Sequence, residues 1–188
     1  YAGSDRNSNK MKTSVIIPFM NAFEGKYKIL EDCIDSFTGA DEIIVVENWR
    51  EGYAVPINYG LSQASGDFLI VMNDDLLFDG GSLKRLCRED AVTSPMVNGG
   101  TQKFWGCCFC MPRWVYDIVG GLDEQYTISY FDDDDYLLTL EKFGIPMYSV
   151  PNVAVTTKGG TTLDTFEDRN EFFEENKQKF LNKWGRLP

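Results

Sequence analysis

Three short runs along the chain share one pattern. "SVII" (Ser14 to Ile17), "EIIVV" (Glu42 to Val46) and "FLIVM" (Phe68 to Met72) are almost continuously apolar and rich in β-branched residues. Such runs predict strands buried on both faces of a parallel sheet. Between the first two lies "KYKILEDCIDSF", in which Leu30, Cys33, Ile34 and Phe37 fall at i, i+3, i+4 and i+7, the spacing of a helix with one buried face. "INYGLSQAS" supplies a short helix before Gly66 and the third strand. The alternation β-α-β-α-β predicts an α/β fold: a single-domain open, mostly parallel twisted sheet flanked by helices, with right-handed crossovers.

After Asp75 the pattern is less regular. Ser82 predicts the N-cap of a helix running to Glu89. "QKFWGCCFCM" predicts a strand with Gly106, Cys108 and Cys110 on one face and Cys107, Phe109 and Met111 on the other. "PRWVYDIV" opens with Pro at a first helical position and closes at Gly120 and Gly121. "DDDDYLLTLEKFG" predicts a helix ended by Gly144, "MYSVPNVAV" a late strand, and "RNEFFEENKQKFLNKW" an amphipathic terminal helix. No repeat and no Pro- or Ser-rich linker divides residues 11–188, so one core is expected for a chain of 188 residues.

Composition narrows the class. Hydrophobic residues make up 43% and charged residues 25%, as in an ordinary soluble globular protein. No apolar run approaches the roughly 18 residues of a membrane-spanning helix, and no signal-like segment opens the chain; a soluble, cytoplasmic protein without an integral membrane segment is expected. The opening "YAGSDRNSNK" is polar and patternless and reads as a tag or vector remnant. A net charge of −11 disfavours nucleic acid and anionic membranes as partners and suits a bound cation. The odd count of five Cys points to a reducing compartment. Cys107 and Cys110 form a C-x-x-C, but the chain has no His, and Cys33 and Cys87 sit on predicted helices, so packing inside a strand explains the pair better than zinc.

Ligands of an open parallel sheet bind outside the carboxyl ends of its strands, so those ends are read together. The first ends at Pro18 and reaches Asn21, the second at Glu47 and Asn48, the third at Asn73, Asp74 and Asp75. Turn preference accounts for Asn21 or Asn48 singly. It does not call for two adjacent carboxylates that repel each other, whereas Mg²⁺ or Mn²⁺ shared with substrate phosphates removes that repulsion. In "YFDDDDYLL", Asp133 stands four residues before Leu137 and seven before Leu140, on the inward stripe of the helix. Asp132 is a natural N-cap, and carboxylates suit a helix N-terminus. Capping does not explain an Asp on the inward stripe; a carboxylate facing a pocket can take a proton from a substrate hydroxyl. The block fails as an EF-hand, lacking Gly at position six and Glu at position twelve, and neither G-x-G-x-x-G nor G-x-x-x-x-G-K-[ST] occurs.

With these residues placed, the chain resembles the family 2 glycosyltransferases, which have the glycosyltransferase A fold. The resemblance runs from Thr13 to Trp184 through "SVIIPFMN", "EIIVVEN", "GYAVPINYG", "ASGDFLIVMNDD", "GGLDE", "FDDDDYLL", "FGIPMYSVPNVAV" and the terminal "F..KW", in the family's order. It implies a nucleotide-binding half, residues 11–80, and an acceptor and catalytic half, residues 81–188. It implies transfer, with inversion, of a sugar from a nucleotide-diphosphate sugar such as a UDP-sugar to a carbohydrate or other hydroxyl acceptor. By the same resemblance the donor would be bound by Pro18, Met20, Asn21, Glu47, Asn48, Asn58, Asn73 and Asp74. "NDD" stands at the D-x-D position, which implies a divalent metal, Mn or Mg, on Asp75 with Asn73 beside it. Asp132 and Asp133 fall on the family's Glu-Asp pair, with Asp133 as base. Acceptor contacts are expected from Trp105, Gly106 and Gly121, with Trp114 as a further aromatic candidate. Two positions depart from the family pattern: Thr157 replaces a metal-binding His after the late strand, and "VVENWR" replaces "VVDDxS". Two other functions compete, a degenerate nucleotide-sugar-binding protein and a sugar-phosphate nucleotidylyltransferase. The latter predicts a Gly-rich basic loop after the first strand, which "PFMNAFEGKYK" resembles poorly.

Overall fold

The computed structural model describes residues 11–48, 50–159 and 162–188. The leader, residues 1–10, and Trp49 of "VVENWR" lie outside the described residues. The strands are β1 (Thr13–Phe19), β2 (Glu42–Glu47), β3 (Phe68–Met72), β4 (Leu77–Phe78), β5 (Val92–Val97), β6 (Cys108–Pro112) and β7 (Met147–Thr156). They form one sheet in the order β2-β1-β3-β6-β5-β7-β4. β1 pairs in parallel with β2 and β3, as the β-α-β-α-β alternation predicts. β6 then enters antiparallel between β3 and β5, β5 pairs in parallel with β7, and β4 closes the far edge antiparallel to β7. The sheet is therefore parallel in its first half and mixed in its second.

Helices α1 (Lys26–Asp35), α2 (Ala54–Gln63), α3 (Arg113–Val119), α4 (Asp132–Lys142) and α5 (Arg169–Trp184) flank it. Strand residues alternate between the faces. Val15, Ile17, Ile70 and Met72 meet Leu30 and Cys33 of α1, while Ile16, Leu69, Val71, Phe109 and Met111 meet α2, α3 and α4. α5 packs outside these layers, against Tyr126 and Phe131. No described helix is long and apolar enough to cross a membrane.

Several elements differ from the sequence expectation for local reasons. β2 is an edge strand, so Ile43 and Val45 are each 41% exposed although their run reads as fully buried. The Ser82 cap is real, its Oγ accepting from the Lys84 N–H at 3.3 Å, but only a 3-10 turn, Leu83–Leu86, follows. Cys87 therefore caps that turn and lies on no α-helix. β6 begins at Cys108 because Gly106 and Cys107 form a turn before it. Pro112, predicted as the first helical residue, is instead the N-cap of α3, which begins one place later at Arg113.

α2 lies close on β1 at Gly60. A Cβ there would stand 2.5 Å from Ile16 Cγ2 and 3.2 Å from Val46 Cγ2. Alanine gains up to about 1 kcal/mol of helix propensity at such a site, and overpacking costs about 1–3 kcal/mol. Gly60→Ala is expected to lower the urea midpoint; an unchanged or raised midpoint would show that α2 can lift off β1 freely.

Candidate active site

A cleft of about 260 Å³ opens at the carboxyl ends of β1 and β3. The predicted residues Pro18, Met20, Asn48, Asn73, Asp74, Asp75, Gly106, Asp132 and Asp133 all line it. Asn21, Glu47, Asn58, Trp105 and Gly121 do not line it, and neither does Trp114, which borders a shallow depression with Met11, Asp67 and Glu89.

The three residues after β3 have separate partners. Asn73 Oδ1 and the Gly106 carbonyl both accept from the Tyr53 hydroxyl, at 2.7 and 3.0 Å. Burial, then the nearby Cys107, Asp132 and Asp133, push the Tyr53 hydroxyl pKa well above its ordinary value, so it remains a donor. Asp74 Oδ1 accepts from Lys26 Nζ at 2.8 Å, and the lysine side chain is fully buried. Burial raises the Asp74 carboxyl while the Lys26 ammonium opposes that shift. Asp75 Oδ2 accepts from Thr157 Oγ1 at 2.9 Å. Its Oδ1 is buried with no hydrogen-bond partner among the described residues. A buried carboxylate oxygen left unpaired costs free energy unless something cationic or protic meets it.

The cleft is also lined by the first turn of α4, where Asp132 to Asp135 cluster at the positive end of the helix dipole. The N-cap is Phe131, in the left-handed region, and Asp132 is the first helical residue; the predicted Asp132 cap lies one place too far along. Asp135 points away from the cleft and is satisfied by Tyr126 Oη at 2.9 Å, Lys183 Nζ at 2.9 Å and Trp184 Nε1 at 2.7 Å. Asp133 faces the cleft beside Gly106, where a Cβ would stand 2.2 Å from Asp133 Cβ. Only glycine permits this approach. Burial raises the Asp133 carboxyl. Burial first, then the charge of Asp133, raises Asp132 from 3.8 to about 8, and the same causes raise Asp134 to about 6.

Among non-glycine residues with positive φ, Arg50, Ile128 and Tyr130 line the cleft and Phe131 caps α4. Such conformations cost on the order of 1–3 kcal/mol each and collect where function fixes the backbone.

Residues 43–92 match the sequence model of glycosyl transferase family 2. The chain carries a family 2 segment on a glycosyltransferase A fold. The structure of GalNAc-T7 with UDP, GalNAc and Mn²⁺ is similar, with a TM-score of 0.65 at 14% identity over 93% of this chain and 51% of that one. The catalytic domain of Drosophila β1,4-galactosyltransferase 7, in complex with xylobiose, gives 0.59 at 17% identity over 81% of this chain and 67% of that one. The mannosyltransferase PcManGT of Pyrobaculum calidifontis, with GDP-Man and Mn²⁺, gives 0.56 at 15% identity over 81% and 59%. This chain thus spans about half of the GalNAc-T7 chain, and the likeness is one of fold. No curated protein matches it.

In this fold, Asn58 and Gly121 serve each other. Asn58 Oδ1 accepts from the Leu122 N–H and its Nδ2 donates to the Leu122 carbonyl, both at 2.8 Å, fastening the "GGLDE" loop to α2. Gly121 is required by that contact, since a Cβ would lie 2.1 Å from Asn58 Oδ1. Asn48 orders its own turn, with Nδ2 donating to the Gly52 carbonyl at 2.9 Å. Asn21 and Glu47 are exposed, Glu47 at the end of edge strand β2. Trp105 packs against the core on the α1 side, and its indole N–H is buried without a partner. Sequence reading missed Tyr53, Lys26, Cys107, Tyr130 and the segment of Thr162, Leu163 and Phe166. A polar group such as the Tyr53 hydroxyl inside an otherwise apolar helix start was the one available signal.

Among the described residues no group of three or more His, Cys, Asp or Glu could hold a divalent metal. The partnerless Asp75 Oδ1 nonetheless suits a hard cation that takes its remaining ligands from substrate phosphates and water. The residues fit a metal of that shared kind.

Asp132 links the site to stability. Its folded-state pKa of about 8 exceeds the ordinary 3.8, so its contribution is fully present below 3.8 and is lost as pH rises through 8. The melting temperature of Asp132→Asn is expected to exceed that of the wild type by an amount that grows between these values and levels above them. Parallel curves in differential scanning calorimetry would contradict the burial of a protonated Asp132.

Proposed function

We propose that this chain is a metal-dependent, inverting glycosyltransferase that moves a sugar from a nucleotide-diphosphate sugar, first of all a UDP-sugar, to an acceptor hydroxyl. The observation that carries the reading is one cleft holding both the partnerless carboxylate oxygen of Asp75 and the Asp133 carboxylate. Residues 11–80 bind the nucleotide at Pro18, Met20 and Asn48, and the later half supplies the acceptor side.

Asp75 would hold the divalent metal, aided by Thr157, which fixes its other oxygen. Bound there, the metal would supply Lewis-acid stabilisation of the diphosphate leaving group. Tyr53 occupies Asn73 Oδ1, leaving the amide Nδ2 as a donor for a ligand oxygen. Lys26 neutralises Asp74 and lowers the repulsion that the diphosphate meets. Asp133 takes the proton of the acceptor hydroxyl as its oxygen attacks the anomeric carbon from the face opposite the diphosphate, and the bond electrons leave with the phosphate oxygen. Its raised pKa makes it a better base than an exposed carboxylate, provided the solution is alkaline enough to ionise it. The Asp132–Asp133 pair holds its proton as a unit, so activity rises with pH as that proton leaves.

One observation favours a second reading, a protein that binds nucleotide sugars without turnover: the absence of a three-ligand metal cluster among the described residues. Asp133→Asn separates the two. In the enzyme it lowers kcat by about 10²–10⁴ and leaves the Mn²⁺-dependent affinity for UDP or GDP, measured by calorimetry, nearly unchanged. Wild-type turnover in that variant would refute the assignment of the base. A wild-type chain that no pairing of nucleotide diphosphate and Mn²⁺ stabilises thermally would refute the donor site itself.

A further inference from the structure

The amide of Asn176 lies on α5, well outside the residues that line the cleft, and is fully buried. Both of its polar atoms bond one short loop, and Oδ1 also accepts from Lys179 Nζ of α5 at 3.5 Å. Nδ2 donates to the carbonyls of Thr127 at 2.7 Å and Ser129 at 2.8 Å and reaches that of Tyr130 at 3.4 Å. Oδ1 accepts from the Thr127 N–H at 3.1 Å and its Oγ1 at 3.4 Å. This loop is the strained one. Ile128, Tyr130 and Phe131 have φ of 65, 78 and 67°, and a β-branched Ile there is especially unfavourable.

The loop also leads directly into the site. Ile128, Ser129 and Tyr130 line the cleft, Phe131 caps α4, and Asp132 and Asp133 follow in its first turn. Without Asn176, the carbonyls of Ser129 and Tyr130 would lose this donor and that of Thr127 would keep the Ser129 N–H at 2.8 Å, and the loop would relax from its left-handed conformation toward β-region backbone. That relaxation changes the entry angle of α4 and moves Asp133 relative to Gly106. The aromatic contacts of Phe131 with Phe173 and Phe180, at centroid distances of 5.3 and 5.4 Å, hold the same loop but have no directional hold on its carbonyls.

We propose that Asn176 is a positioning residue: from α5 it clasps residues 127–130 in their strained conformation and so fixes where Asp133 meets the acceptor. This rests on the transferase reading of the cleft for its catalytic consequence, but the clasp itself is a statement about the loop. An Asp at this position keeps the acceptor for Thr127 and loses the donors, so Asn176→Asp and Asn176→Ala report on the donors by two routes.

The test combines hydrogen exchange of the free chain with steady-state kinetics, using Leu86→Ala, a core truncation remote from α5, as the control for lost stability. For both Asn176 variants, amide exchange over residues 127–131 is expected to accelerate at least tenfold while the amides of β1 and β3 keep wild-type rates. kcat should fall on the order of a hundredfold, as for a misplaced reacting group, with UDP–Mn²⁺ affinity within about threefold of wild type. Leu86→Ala should show neither the local exchange nor the selective loss of kcat. Exchange over 127–131 no faster than in Leu86→Ala would overturn the clasp, and fast exchange with unchanged kcat would overturn the positioning role. A wild-type chain that transfers no sugar refutes the transferase reading instead, and the exchange comparison then decides the clasp alone. If Asn176→Ala does not fold, Asn176→Asp carries the same comparison.

Discussion

The antiparallel pairing of β3 with β6 is the constraint on which the site depends. Its last rung sets Met72 opposite Cys108, and the next hydrogen bond, from the Asn73 N–H to the Cys107 carbonyl at 2.9 Å, places the end of β3 beside the Gly106 turn. Gly106 lacks a Cβ, so the first turn of α4 can press Asp133 against it. Two acids far apart in sequence, Asp75 and Asp133, thereby share one cleft. Tyr53 ties the same corner from a third element, donating to Asn73 and Gly106 together.

That corner concentrates negative charge, and the fold handles each carboxylate differently. Lys26 is buried against Asp74, burial keeps Asp132 protonated up to about 8, and Asp135 is bonded by Tyr126, Lys183 and Trp184. The proposed reaction uses the remaining two, Asp75, one oxygen of which is buried without a partner among the described residues, and Asp133 as its base. A buried ion pair such as Lys26–Asp74 seldom adds much net stability, because desolvation offsets the Coulomb attraction. Its value here is electrostatic, since it removes one charge from a cleft that would otherwise repel a diphosphate.

The first half of the fold was legible because its signals are local. Continuous apolar strands and one amphipathic helix are set by neighbouring residues, and parallel pairing follows from the crossovers. The mixed second half was not, because whether β6 enters antiparallel is decided by tertiary pairing that no short window encodes. "VTSPMV", which forms β5, mixes polar and apolar residues and contains Pro95, so its strand character is invisible until β6 and β7 flank it. At the strand ends, Asp74 and Asp75 line the cleft as their position after β3 suggests, whereas Glu47 at the end of β2 is exposed and does not. Asn58 and Gly121 resemble ligand-binding residues in sequence yet meet each other in space. Tyr53 and Asn176 were hidden because a hydroxyl or amide on a helix declares its partner only when the loop it holds is known. Asp133 could be placed at the cleft because the helical period sets it above Leu137 and Leu140, a relation that survives the one-residue error in the N-cap.

The most direct measurement is a crystal structure of the chain with UDP and Mn²⁺. The account predicts that Asp75 would hold the metal in the cleft that also takes the nucleotide, with the Asp133 carboxylate open to the same cleft. A metal bound elsewhere, or Asp133 turned into a closed contact away from the nucleotide, would contradict it.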